Sequence, residues 1–331
     1  MERFALAAAV VLGFALTAAL CSLFVPLRRV LERREQNQQP AQSEQPRPAP
    51  LRAPLWGGLC AAAGTVAAVG VGWLAACVGQ PELLGSEGRL MTRLLTALAG
   101  GLAFGAVGFA EDLARMRSPA ALGLRRDVRL LLEALAAAFV LLLLQAAGCL
   151  PRGLDVPGAG YVLLGSAVPF LWAVLMVVLA ECARIAERDE GTVCGAAFVA
   201  MLALMMAEAG LGVPGLAVLP AALAGALVAL LLWAFPPARL GVGCCGSLLA
   251  AGAIGCIPLS LDMTSLTVPL ALPFWAAGGL LAAQLLGAKR TGKPLRCWVK
   301  KHKMSPETVF LCSFALSAVG YVLALALLRW C

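Results

Sequence analysis

The stretch Phe4–Pro26, FALAAAVVLGFALTAALCSLFVP, contains no charged residue from end to end. A bilayer core about 30 Å thick is crossed by a helix of about 20 mainly apolar residues. In lipid the backbone must satisfy its own polar groups, so the choices are helices or a closed barrel. Ala, Leu and Val fill this stretch without period-two alternation, which predicts a helix and not a barrel strand. No A-x-A-like cleavage site follows, and Leu20 rather than a small residue precedes Cys21. The segment is therefore expected to be a first spanning helix and not a removed leader.

Similar apolar segments fall at about 54–77, 92–110, 128–147, 160–180, 193–209, 213–235, 243–261, 267–288 and 308–328. The expected fold is all-α and polytopic, with about ten transmembrane helices in a single integral membrane domain, 1–331. Composition agrees. The chain is 61% hydrophobic and 13% charged, against about 25% charged in a typical soluble domain. Twelve cysteines without a CxxC pattern and a single histidine, His302, give no sign of a disulfide framework or a Cys/His metal site.

Charge sets the expected orientation. If the N-terminus lies outside and ten helices alternate, 21 of the 26 Lys and Arg residues fall in inside loops and 5 remain outside. That asymmetry places both termini outside and the basic loops in the cytoplasm. The net charge of +8 is explained by those loops and does not require nucleic acid as a partner. Two of the loops stand out. Residues 28–53, rich in Gln, Pro, Glu and Arg, read as a flexible cytoplasmic loop. Residues 289–307 form a basic loop, suited to anionic lipid heads or to a bound phosphate.

Acidic residues at a membrane boundary are costly and need a reason. Glu111-Asp112 ends the third apolar segment and precedes Arg115, Gly123-Leu124 and Arg129. Such a pair suits a hard cation or a base beside a phosphate, or simply pairs with Arg115 at helical spacing. The run Glu181-Cys182-Ala183-Arg184-Ile185-Ala186-Glu187-Arg188-Asp189-Glu190-Gly191 follows the fifth segment. It reads either as a solvated, internally paired helix end or as a polar site. Gly243-Cys244-Cys245-Gly246-Ser247-Leu248 opens the eighth segment, where backbone N–H groups could face a phosphate or small residues could allow close packing.

These clusters, in this order, resemble the polyprenyl-phosphate N-acetylhexosamine-1-phosphate transferase superfamily, and within it the phospho-N-acetylmuramoyl-pentapeptide transferase family. Ala53-Pro54-Leu55-Trp56-Gly57-Gly58 looks like the family's Thr-Pro-Thr-Met-Gly-Gly. Gly108–Arg115 looks like its Gly-Phe-x-Asp-Asp-x-x-Lys, with Asp112 kept and Glu111 and Arg115 as replacements; Arg129 stands for a downstream Lys. Glu181–Gly191 looks like Asn-x-x-Asn-x-x-Asp-Gly-x-Asp-Gly, with Glu181 and Arg184 for the two Asn and Glu187 and Glu190 for the two Asp. Gly243–Leu248 looks like Gly-Asp-x-Gly-Ser-Leu, with Cys244 for the Asp. Arg290-Thr291-Gly292-Lys293 and Pro306-Glu307 bracket a shortened histidine loop reduced to Lys301 and His302.

The resemblance implies ten helices, both termini outside, a site facing the cytoplasm of the bacterial inner membrane, and a homodimer. It implies transfer of phospho-MurNAc-pentapeptide, or another phospho-N-acetylhexosamine, from a UDP-sugar to undecaprenyl phosphate in peptidoglycan synthesis, with UMP released. Carried over residue by residue, Glu111, Asp112 and His302 would be catalytic. Arg129, Arg184, Glu187, Glu190, Ser247 and Lys301 would bind substrate. Asp112 and Glu187 would hold Mg²⁺, with Cys244 at the position of a family metal ligand. A thiol is a soft ligand poorly matched to Mg²⁺. A second expectation therefore stands beside the first: a catalytically silent relative that binds lipid phosphate, nucleotide or a cell-wall partner. A transporter is a distant third, since the acids gather at one face and not at the midplane.

Overall fold

The computed structural model describes residues 2–38, 56–79, 88–117, 123–151, 153–156, 160–163, 165, 167–187, 191–213, 215–236, 238–286 and 305–329. These hold eleven α-helices. They are α1 (Glu2–Gln38), α2 (Gly57–Gly79), α3 (Gly88–Arg117), α4 (Arg126–Ala146), α5 (Ala167–Ala186), α6 (Thr192–Gly210), α7 (Val218–Ala234), α8 (Gly243–Ser260), the short α9 (Thr267–Leu270), α10 (Leu272–Leu286) and α11 (Pro306–Leu328). Seven are long and apolar enough to cross a membrane, and Val218–Ala234 is a shorter apolar helix. The remaining expected segments, the fourth and the ninth, are occupied by α4 and by α9 with α10. The chain is an all-α polytopic membrane protein.

Two departures from the sequence expectation have local causes. The helix begun at the first segment does not stop near Pro26 but runs on to Gln38. Residues 28–38, expected to be flexible, are helical there; their Arg, Leu, Glu and Gln are all good helix formers. Residues 39–53 lie outside the described residues. The fifth segment begins with a strand, β2 (Gly160–Leu163), which pairs antiparallel with the preceding β1 (Gly153–Val156) in register Gly153 to Leu163. A short apolar run such as Gly-Tyr-Val-Leu looks alike in helix and strand, so periodicity does not separate the two. The basic loop is described only from residue 305, where Ser305 caps α11 by accepting the Thr308 N–H at 3.2 Å, with Pro306 in the first turn.

The bundle is organised around α8, which is buried along its whole length. Its sequence, GCCGSLLAAGAIGCIPLS, is mostly small residues. Lipid tails are as apolar as leucine, so helices in a membrane associate by close packing and small side chains. Here α3 packs along α8 more extensively than any other pair of elements, with α2, α5 and α6 also against it. A Cβ on Gly58 of α2 would run into the Gly246 backbone, and one on Gly108 of α3 into the Cys244 carbonyl. Outward faces carry Leu311, Val322 and Leu323 on α11 and Leu131, Leu135 and Leu142 on α4, all exposed, as lipid contact requires.

Candidate functional site

The C-terminal ends of α3 and α5 meet the N-terminal ends of α2, α4 and α8 at one end of the bundle. The N–H groups of Gly57 and Gly58 donate to the carbonyls of Gly241 and Val242 at 3.2 and 2.9 Å, tying α2 to the approach of α8.

Asp112 belongs to this junction in an unexpected way. The N-cap residue of α8 is Val242, whose side chain cannot cap. Asp112 supplies the cap from another helix. Its Oδ1 accepts the Cys244 N–H at 3.0 Å and its Oδ2 accepts the Cys245 N–H at 2.9 Å. A carboxylate suits that place, because a helix N-terminus carries unsatisfied donors and about half a positive charge. The N–H groups that sequence offered to a phosphate are thus already taken at Cys244 and Cys245. Ser247 is buried and donates its hydroxyl to the Cys244 carbonyl at 3.1 Å, closing the same turn.

Around Asp112 lies a layer of ion pairs. Glu111 Oε1 accepts from Arg115 Nη2 at 2.6 Å and has Arg129 Nη1 at 3.6 Å. Arg129 Nε donates to Glu181 Oε1 at 2.7 Å, and the other Glu181 oxygen accepts from Arg184. Arg115 Nη1 stands 3.9 Å from both Asp112 Oδ1 and Glu187 Oε2. The Cys244 thiol faces Glu187 Oε2 at 4.0 Å. Gly123, at φ 69°, brings its loop against the Arg115 side chain: a Cβ there would sit 3.3 Å from Nε. That left-handed conformation, with the Arg115 side chain this close, favours glycine.

The structure therefore brings Glu111, Asp112, Arg129, Arg184, Glu187 and Cys244 into one cluster, with Ser247 directly behind it. Glu190, Lys301 and His302 lie outside the described residues. Three participants were not among the expected site residues. Arg115 and Glu181 were visible as charges at helical spacing. Glu133 was missed: it is fully buried on α4, its Oε1 is 4.0 Å from Arg129 Nε, and neither oxygen has a hydrogen-bond partner. Its signal was available, since a carboxylate four residues from Arg129 within an apolar run is an intramembrane charge with a nearby partner.

Residues 94–262, just over half of the chain, match glycosyl transferase family 4. The chain belongs to glycosyl transferase family 4. The matched span contains every described member of the cluster. The chain is also similar to the phospho-N-acetylmuramoyl-pentapeptide-transferase of Mycobacterium tuberculosis, 28% identical over 265 residues covering 72% of either protein. It is similar to the enzymes of that name from Desulforudis audaxviator, 34% over 170 residues (48% of this chain, 50% of the relative), and Synechococcus, 32% over 206 residues (60% and 53%). At these identities it is a divergent member of family 4.

Among the described residues, the donor set of this family 4 member does not fit Mg²⁺. A hard cation needs several free oxygens. Both Asp112 oxygens face backbone N–H donors. Cys244 offers sulfur, and a guanidinium nitrogen stands at equal distance from Asp112 and Glu187. Among the described residues, no group of three or more His, Cys, Asp or Glu is arranged to hold a metal ion.

Proposed function

We propose that the protein transfers a phosphosugar from a nucleotide donor to a lipid-phosphate carrier at the cytoplasmic face of the bacterial inner membrane. The substrates in this reading are undecaprenyl phosphate and a UDP-N-acetylhexosamine of the MurNAc-pentapeptide class, in peptidoglycan synthesis. One observation carries it: the charged cluster at one end of the bundle is assembled from α3, α4, α5 and α8, all inside the span matching glycosyl transferase family 4. The names of the similar proteins supply the sugar class.

The chemistry is a displacement at phosphorus. An oxygen of the lipid phosphate forms a bond to the β-phosphorus of the UDP-sugar. The bond from that phosphorus to the bridging oxygen breaks, and UMP leaves with the electron pair. The nucleophile is already an anion, so no strong base is needed. What the protein must do is hold two anions together and stabilise the transferring group. Of the three guanidiniums, Arg115 is the most open, its side chain 20% exposed against 9% for Arg129 and 12% for Arg184. It is the natural first contact for a phosphate. Glu190, Lys301 and His302 complete the proposed site, and a homodimer is its proposed assembly.

The test is UMP release from UDP-MurNAc-pentapeptide or UDP-GlcNAc by the purified protein with undecaprenyl phosphate, assayed both with Mg²⁺ and with EDTA. Release that disappears in Asp112→Asn supports transfer. No release under any condition overturns it. The second reading, a catalytically silent binder of lipid phosphate, nucleotide or a cell-wall partner, is favoured by the pairing of Arg184 with Glu181 and of Asp112 with α8. Binding of the UDP-sugar without turnover would select it.

A further inference from the structure

We infer that the resident cation of this site is the Arg115 guanidinium, which holds the place between Asp112 and Glu187 that the resemblance assigns to Mg²⁺, and that phosphate is met by Arg115 without a divalent ion. Three independent features converge on this. The first is position: Nη1 lies 3.9 Å from Asp112 Oδ1 and 3.9 Å from Glu187 Oε2, between the two carboxylates that the resemblance assigns to the ion. The second is ligand chemistry. Cys244 stands where the resembling motif has an aspartate, which removes one hard oxygen donor and one negative charge from the side facing Glu187. A single guanidinium charge is then matched to fewer carboxylates. The third is anchorage. Glu111 grips Nη2 at 2.6 Å and Gly123 backs the side chain, so the cation is fixed by the fold.

Arg115 also has donors in reserve. A guanidinium carries five N–H groups, and among the described residues the hydrogen bond it makes is the one to Glu111. Planar, bidentate recognition of phosphate is what arginine does better than lysine. Asp112 does not compete for it at full strength, because its charge is met by the α8 N-terminus.

The inference rests on the phosphosugar-transfer reading only for the kind of anion bound, and its test separates the two. Mn²⁺ binding to the purified full-length protein is followed by electron paramagnetic resonance. Inorganic pyrophosphate binding is measured by calorimetry in EDTA and again in Mg²⁺. The expected result is no stoichiometric Mn²⁺ binding and equal pyrophosphate affinity in the two buffers. Arg115→Gln should weaken pyrophosphate about tenfold or more, as loss of a charged hydrogen-bond donor does, while Arg115→Lys restores part of it. If Arg115→Gln fails to fold, the Lys variant and the two wild-type measurements still decide. Stoichiometric Mn²⁺ binding abolished by Glu187→Gln would overturn the inference. So would pyrophosphate binding that requires a divalent ion, or none in either buffer. Failure of UMP release leaves all of these readouts standing.

Discussion

The carboxylate of Asp112 accepts the backbone N–H of Cys244 at 3.0 Å, joining the end of α3 to the start of α8 across 132 positions of sequence. The same side chain takes the Cys245 N–H, so one residue serves as the N-cap of a helix to which it does not belong.

Asp112→Ala should therefore act on stability as well as on any activity. It leaves two buried N–H groups without an acceptor and removes a charge from a helix N-terminus. Each unsatisfied donor costs about 1–3 kcal/mol. Asp112→Asn keeps one acceptor and should lose less. Thermal unfolding in detergent checks the order wild type, Asn, Ala; an alanine variant as stable as wild type would remove the cap from the account.

Arg129→Gln should be among the most damaging changes in the cluster. It strips Glu181 and Glu111 of a partner and takes from Glu133 the guanidinium 4.0 Å away. Breaking a buried ion pair by removing one member costs about 3–5 kcal/mol. Combining it with Glu181→Gln should recover part of that loss. Denaturant titration of the two single variants and the double gives the coupling, and strict additivity would show that the pair is not coupled.

Cys244→Asp should convert the cluster toward a metal site. The new carboxylate would face Glu187 and crowd like charges, so the variant should unfold earlier than wild type in EDTA. Mg²⁺ or Mn²⁺ should restore it, by about 2.7 kcal/mol at a hundredfold excess over Kd. Thermal shifts with and without the ion measure this directly, and a variant indifferent to the ion would contradict it.

Gly108→Ala should disturb the junction without touching a charge. The added methyl meets the Cys244 backbone, which cannot move aside as a flexible side chain could. Overpacking of this sort costs about 1–3 kcal/mol. It should also loosen the Asp112 cap, so its melting temperature and that of Asp112→Ala should not add in the double variant.

Ten apolar segments were legible because a spanning helix must be apolar on nearly every side, and that condition is written locally. The gathering of Glu111, Asp112, Arg184, Glu187 and Cys244 at one end was legible for a related reason: each sits at one end of an apolar run. What they do to one another was not. Nothing near Asp112 in sequence says that its oxygens go to Cys244 and Cys245, because that partnership depends on how closely Gly108 lets α3 approach α8. Arg184 illustrates the same limit. Its charge could serve a ligand or pair at home, and the rotamer that pairs it with Glu181 is decided by packing. Glu133 escaped notice because a lone acid in the sequence LLLEALAAAF looks like an exception to an apolar helix, until α4 is seen to turn it toward Arg129.

The central place of α8 has a consequence for how the protein is made. The ribosome delivers α2 and α3 well before α8. Their glycine-lined faces, shaped to receive a helix, must therefore enter the membrane with that helix still unsynthesised. Until residue 260 is in place, the groove beside Gly58 and Gly108 has to be filled by lipid or by the insertion machinery, and Asp112 has no helix end to close. Truncations ending before α8 should then be recognised as unfinished and degraded, while those ending after Ser260 should persist longer in the membrane.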